Sequence, residues 1–353
     1  MRLRGRYLIS NCELIINRPT ILGEDHTPLQ LELSISKSKM AVRVIFEPIS
    51  ATTGSSHDPI NWIAPSKYIV RLVNKTYPVE MHWYDSLCSY MLLCYPNDAR
   101  KSSHGLSQQV FAFDVDRLGR TRPKMKVYFN PNAKIMAELH VDEEHRPSYR
   151  QTLFRDALSS IGFAEPWSRI EEYLVQRAEN GKQVFLDALS WDTCEPRKAR
   201  MKIFIRSDCT SLEDLLSHIT LGGTLANDKI HETELAAKEM WNAFKSHEQA
   251  VTVACGYELR RGQNEPVGVE FHFYLNDFGS SDEEIAQKLD SFLVGKMGKS
   301  PGWYKEMIEK FCSYRPLSSR TGVQLSVGST VRHGNWDVTV HLSPEAYAPE
   351  RRI

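Results

Sequence analysis

Five times along this chain an alternating run of apolar and polar residues is followed by a turn and a second alternating run. The paired runs cover residues 29–36 with 40–48, 108–116 with 123–130, 183–190 with 199–206, 249–259 with 268–275, and 322–328 with 335–342. Alternation at period two marks a strand with two unlike faces. The short turn-rich segments between partners mark antiparallel hairpins, with Gly119, Gly262 and Gly334 in three of the turns. Between the pairs lie stretches of helical spacing at 83–93, 149–159, 167–178, 211–219, 233–244 and 282–294. Ser281 is placed to cap the last of these, and Gly222-Gly223 to end 211–219. The plan is hairpin then helices, repeated. Ten antiparallel strands with helices outside favour a closed barrel, since closure removes the edges. The expected class is therefore α+β: a ten-stranded antiparallel β-barrel ringed by helices. An open sheet with one wet face fits the alternation as well.

Length and composition agree with one large barrel. The chain has 353 residues, 41% hydrophobic and 25% charged, which is ordinary globular composition. A single domain over 1–353 is expected, with a leading segment 1–25, the barrel at about 26–345 and a tail at 346–353. Basic and acidic residues both number 44, so no overall field favours nucleic acid or a membrane surface. No apolar run approaches the ~20 residues that span a bilayer, and the first residues lack a signal-peptide core. A cytoplasmic protein is expected. Seven scattered cysteines without a CxxC pair argue against both a disulfide framework and a zinc site.

The faces of the strands say what a barrel would hold. One face of the second strands is apolar: Val42, Val44 and Phe46, then Met125, Val127 and Phe129, then Met201, Ile203 and Ile205. The opposite face carries Arg43, Lys126, Arg200 and Lys202. On a lumen wall four cations would converge, and their repulsion calls for a polyanion among them. A diphosphate fits, since Arg binds phosphate through its fork and Lys as a point charge. Taken singly, each reads first as a solvated surface charge, and only the shared face and repeated position favour a ligand.

Several segments resemble a known family. Arg200-Met-Lys202-Ile-Phe204, the run Lys126-Val-Tyr128-Phe-Asn-Pro131, and Asp25-His-Thr-Pro-Leu-Gln-Leu-Glu32 look like the dimethylallyltryptophan synthase type of aromatic prenyltransferase. So do Arg43-Val-Ile-Phe-Glu-Pro48 and Val338-Thr-Val-His-Leu-Ser-Pro344. The resemblance runs in order from about residue 20 to 348, and its fold, the ABBA or PT barrel, matches the fivefold count. It implies transfer of a prenyl group from an allylic diphosphate to an aromatic ring, most often an indole, in secondary metabolism. It further implies that Arg43, Lys126, Arg200 and Lys202 hold the diphosphate, that Tyr128 and Phe204 shield the allylic cation, and that Glu32 accepts a hydrogen bond from the indole N–H. An aromatic face favours such a cation by about 0.5–2 kcal/mol. The prenyl diphosphate is then a co-substrate, with no other cofactor and no obligatory metal. A monomer or homodimer is expected, with a small aromatic acceptor as partner.

The departures fall on the cage and the base. The strand before Lys126 reads Gln108-Gln-Val-Phe-Ala-Phe-Asp114, without the lysine that removes the ring proton in many indole C-prenylating members. Phe204 stands where Tyr is usual, Glu270-Phe-His272 replaces a Lys-x-Tyr pattern, and Gly322-Val-Gln324 lacks an expected Tyr. Glu270 and Gln324 are accordingly expected in the substrate pocket. His272 is a candidate base, or a diphosphate ligand when protonated. A purely structural lumen histidine is an equal reading.

Two patterns imitate metal sites. Asn276, Asp277, Ser280 and Glu284 match a magnesium motif of terpene cyclases, yet Phe278-Gly279 and the cap at Ser281 break the shared helix face it needs. Glu138, His140, Asp142 and His145 are expected as a solvated loop. Two other functions remain open: a barrel that ionises a prenyl diphosphate and cyclises it without an acceptor, and a non-catalytic binder of prenylated product.

Overall fold

The computed structural model describes residues 20–75, 81–93, 107–115, 125–137, 145–195, 197–244, 250–332 and 335–351. Ten strands form one closed antiparallel barrel: β1 Leu29–Ser36, β2 Met40–Phe46, β3 Gln109–Val115, β4 Met125–Phe129, β5 Phe185–Asp192, β6 Met201–Cys209, β7 Val251–Leu259, β8 Gly268–Tyr274, β9 Gln324–Arg332 and β10 Asn335–Leu342. Each strand pairs with its neighbours in sequence, and β1 closes the ring against β10 with Glu32 opposite His341. Each alternating run overlaps one of these strands, with β5, β6 and β9 running two to four residues beyond the expected ends, and closure excludes the open sheet. Two of the turn glycines, Gly119 and Gly334, lie outside the described residues.

Helices cover the outside. They are α1 Ile63–Lys75, α2 Met81–Met91, α3 Asn132–Ala137, α4 Arg146–Ser160, α5 Ala164–Glu179, α6 Leu212–Thr220, α7 Asp228–Phe244, α8 Asp282–Met297 and α9 Trp303–Phe311. The expected cap is present: Ser281 Oγ accepts the Glu284 amide at 3.3 Å. Helix α6 is capped likewise by Ser211, and it ends on Leu221, one residue ahead of the glycines. Helices α1, α3 and α9 were not legible in the spacing.

The core lies between barrel and helices, not inside the barrel. Outward residues such as Met125, Val127, Phe129, Met201, Ile203, Ile205, Phe271 and Phe273 are buried against helical Trp83, Phe154, Trp167, Met240 and Phe244. Alternation forces this split, because every second residue of a strand faces the other way. The inner positions are therefore left with the polar set. Among the described cysteines, Cys88, Cys209, Cys255 and Cys312 are buried and Cys194 is half-buried.

Two bulges interrupt the alternation. Register slips between Leu186 and Ala188 on β5, and opposite His341/Leu342 on β9. The extra residue lets two consecutive side chains face the lumen at each place: Asp187 with Ala188, and Leu325 with Ser326.

Candidate active site in the barrel lumen

The lumen holds a cavity of about 370 Å³. Its wall brings together Glu32, Arg43, Lys126, Tyr128, Lys202, Phe204, Glu270 and His272 from five strands. Register explains the meeting: Glu32 lies opposite Arg43, Tyr128 and Lys202 both lie opposite Ser190, and Glu270 lies opposite Gly256.

The cations are not bare. Arg43 Nη1 donates to both oxygens of Glu32 at 2.5 and 2.6 Å, and its Nε donates to Asp114 at 2.7 Å. Lys202 is paired with Glu270. Lys126 Nζ lies 3.9 Å from Asp192. The expectation that repulsion would call for a bound polyanion is thus corrected: acidic residues on neighbouring strands already balance the charge. Arg200 stands apart from the cavity wall, with Nε donating to Asp192 at 2.7 Å and Nη1 3.5 Å from Glu258. It belongs to the same charged ladder, since Asp192 contacts both Arg200 and Lys126.

Burial would raise the Glu32 carboxyl, but the hydrogen bond and charge of His341, then Arg43 and Lys126, hold it well below the usual range. Glu270 is likewise held at about 2, burial being outweighed by Lys202, His272 and Lys126. Lys126 is pushed down to about 8 by burial, then by Lys202 and Arg43. His272 is pushed down to about 4 by burial and then by His341, so its imidazole is neutral at pH 7. Tyr128 is pushed up by burial, and its phenol stays protonated.

Below the charged ladder the wall turns aromatic. The rings of Tyr128 and Phe204 lie 6.0 Å apart at 34°. Two glycines make room for this part of the lumen. A Cβ on Gly256 would meet Phe204 Cε1 at 2.7 Å, and one on Gly328 would meet the Phe271 carbonyl at 2.3 Å and His272 Nδ1 at 2.7 Å. Phe204 and His272 therefore lie flat against strand backbone instead of projecting across the cavity.

Gln324 is not in the pocket. Its Nε2 donates to the Asp282 carbonyl at 2.7 Å and its Oε1 accepts from Tyr304 at 3.0 Å, on the outer side of β9. The bulge after it is the reason: one inserted residue turns Gln324 outward and hands the inner position to Leu325 and Ser326. His341 was missed by the sequence reading. Its Nε2 lies 3.7 Å from Glu32 Oε2, its Nδ1 hydrogen-bonds Ser326 Oγ at 2.9 Å, and its ring centroid is 5.1 Å from that of His272. The signal was present in the alternation of β10, which puts Thr339 and His341 on the polar face. Asp187, Arg206 and Tyr274 also face the cavity, Asp187 because of the bulge on β5.

The magnesium-like pattern does not converge. Asn276 and Asp277 lie in a 3₁₀ turn before α8, with Asp277 accepting the Thr252 amide at 2.7 Å and Glu284 accepting the Ser280 amide at 2.9 Å. Of the loop cluster, Glu138, His140 and Asp142 lie outside the described residues. Among the described residues no group of three or more His, Cys, Asp or Glu is placed to hold a metal, and no helix is long and apolar enough to cross a membrane.

Comparison with known proteins places this geometry. The family model for tryptophan dimethylallyltransferase matches residues 15–306. A 4-O-dimethylallyl-L-tyrosine synthase of Claviceps purpurea is 24% identical over 92% of this chain and 76% of its own length. An indole diterpene prenyltransferase of Hypoxylon pulicicidum is 23% identical over 93% of this chain and 79% of its own. Among solved structures, AnaPT from Neosartorya fischeri superposes with a TM-score of 0.77 at 23% identity, covering 93% of this chain and 81% of that one. NotF, solved in complex with brevianamide F and DMSPP, gives 0.74 at 20% identity, covering 93% and 82%. With the family model spanning most of the barrel, and the cationic, aromatic lumen on the page, the chain belongs to the tryptophan dimethylallyltransferase family of aromatic prenyltransferases.

Proposed function

We propose that the chain transfers a prenyl group from an allylic diphosphate to an aromatic ring of a small acceptor held in the lumen. The observation that carries this reading is the succession along the cavity wall: Arg43, Lys126 and Lys202 first, then the Tyr128–Phe204 pair, with the buried carboxylate of Glu32 beside them.

The steps follow from these groups. The C–O bond of the allylic diphosphate breaks, and its electron pair leaves with the diphosphate oxygen. Arg43, Lys126 and Lys202 stabilise that charge as it develops, because their positions are fixed before the reaction. Arg200 tunes them through Asp192, which it shares with Lys126. Their carboxylate partners must yield part of this pairing when the diphosphate enters, so the cradle opens for its ligand without ever holding unbalanced charge. The allylic cation is favoured against the faces of Tyr128 and Phe204, and these rings exclude the water that would quench it. Glu32 accepts the N–H or O–H of the acceptor and enriches the ring. The ring's π electrons form the new C–C bond, and the ring proton leaves to a base. His272, neutral at pH 7, suits that role. The cradle of fixed side-chain cations supplies the positive charge that a divalent metal would otherwise provide, so none is required.

Indole is the first acceptor class. A phenol is the second reading, favoured by one observation: the segment of β3 and the residue before it offer Gln108 and Val110 to the cavity wall, and no lysine. Attack by a phenol oxygen leaves no ring proton to remove.

The test is incubation of the purified protein with dimethylallyl, geranyl and farnesyl diphosphates in EDTA, with and without indole and tyrosine-type acceptors, read by mass spectrometry. An adduct at acceptor plus prenyl mass is expected, and it falls at least a hundredfold in Glu32→Gln. Pyrophosphate release with a terpene product and no adduct would replace this reading by a cyclase. Failure to consume any diphosphate, even with magnesium restored, would replace it by a binding role.

A further inference from the structure

At the end of the lumen away from the charged ladder, one carboxylate is left without a hydrogen bond. Asp187 is the bulged residue of β5: the ladder to β6 runs from Leu186 opposite Ile205 to Ala188 opposite Phe204 and skips it. The bulge turns its side chain into the cavity. Among the described residues no donor reaches its oxygens. The nearest cation, Arg206, stops at 4.0 Å with its guanidinium over the Phe185 ring, 5.1 Å from the centroid. The second, Arg150, is committed elsewhere: it donates to the Leu186 carbonyl at 3.0 Å and to Asn132 Oδ1 at 2.5 Å, and its guanidinium lies 4.3 Å from the centroid of the same Phe185 ring. Burial pushes the Asp187 carboxyl above the usual range, Arg206 and Arg150 compensating only in part. Five other carboxylates on or beside the charged ladder, Glu32, Asp114, Asp192, Glu258 and Glu270, all accept hydrogen bonds from cations.

Three quarters of the Asp187 side chain is buried, and a carboxylate so placed without a donor is costly unless a ligand supplies one, a charged donor supplying most. Along β6, Asp187 lies some three residues beyond Lys202, or about 10 Å at the strand rise. That separation leaves space for a prenyl unit and an aromatic ring between cradle and carboxylate. We propose that Asp187 is the anchor for a protonated amine on the acceptor, so that this enzyme takes amine-bearing aromatics in preference to amine-free ones. The proposal rests on the lumen being the acceptor chamber.

Two matched pairs test it by calorimetry with inorganic pyrophosphate present: tryptamine against 3-ethylindole, and tyramine against 4-ethylphenol. Within each pair the ring is the same and only the amine differs. The expected result is at least tenfold tighter binding of the amine member of one pair, and collapse of that ratio towards one in Asp187→Asn. Pyrophosphate affinity and melting temperature of the variant should stay at the native values. An equal affinity within the pairs, or a preference that survives in Asp187→Asn, would overturn the proposal. Hexylammonium, an amine without a ring, separates this idea from the aromatic-acceptor reading. Binding to the native protein and not to Asp187→Asn supports the amine anchor even where every ring fails. Absence of binding by hexylammonium and by all four aromatics, with pyrophosphate still bound, would overturn both.

Discussion

Lys126 shows how much a single side chain's meaning depends on its neighbours. As a residue type at an inward strand position it was legible as a cation. Its acidity was not, because the shift to about 8 comes from burial and from Lys202 and Arg43, which are distant in sequence. The consequence has a sign. Below pH 8 the ammonium is charged and, on the proposed function, contributes to diphosphate binding; as pH rises through 8 the free protein loses that proton and the contribution with it. The ratio of pyrophosphate affinity between the native protein and Lys126→Met should therefore be about tenfold or more at pH 7 and shrink towards one by pH 10, as read by calorimetry at each pH. A ratio that does not change with pH would show that Lys126 is not the titrating group. Glu32 and Arg43 were each legible as lumen residues but not as a pair, although the short turn between β1 and β2 sets them opposite one another. His341 was not, since the partner that gives it meaning is Glu32, at the other end of the chain.

At the scale of elements, the strands were legible and their irregularities were not. Period two survives in any half-buried strand, whereas a bulge is one extra residue whose position depends on which hydrogen bonds the partner offers. Gln324 was read as lumen-facing for that reason, and Asp187 was passed over for the same one. Among the described residues six helices were found and three were missed: α1 carries Pro65 in its first turn, and α3 and α9 have only six and nine residues. The close approach of Phe204 to the backbone of β7 also belongs to this scale. In Gly256→Ala the new methyl displaces the Phe204 ring into the lumen. Overpacking of this kind costs about 1–3 kcal/mol. The expected outcome is a lower melting temperature and a kcat/KM that falls more for geranyl than for dimethylallyl diphosphate. Equal losses for the two donors would show that Phe204 does not bound the donor space.

The whole molecule is held shut by contacts far from the lumen. Arg315, buried after α9, donates to Asp282 at 2.6 Å at the start of α8 and to Glu345 at 2.9 Å beyond β10. Asp282 in turn accepts the amides of Val323 and Gln324 at 3.1 and 3.0 Å, which fixes the entry of β9 beside its bulge. Arg315→Met would leave the buried Asp282 without its cation and Glu345 with Arg320 and Tyr314 alone, and breaking a buried pair in this way costs about 3–5 kcal/mol. Denaturant unfolding should show that loss; a change under 1 kcal/mol would mean that the network is not needed to hold the seam. The sequence by itself determined the ten strands, the helices between most of them, and the sorting of apolar residues outward and charged residues inward, because each follows from local periodicity. Only the tertiary structure decided which charges meet. The carboxylates that neutralise the cradle, the outward turn of Gln324, the pairing of His341 with Glu32 and the unsatisfied carboxylate of Asp187 depend on register across strands and on two inserted residues. Ring closure fixes that register among residues hundreds of positions apart, and no local pattern records it.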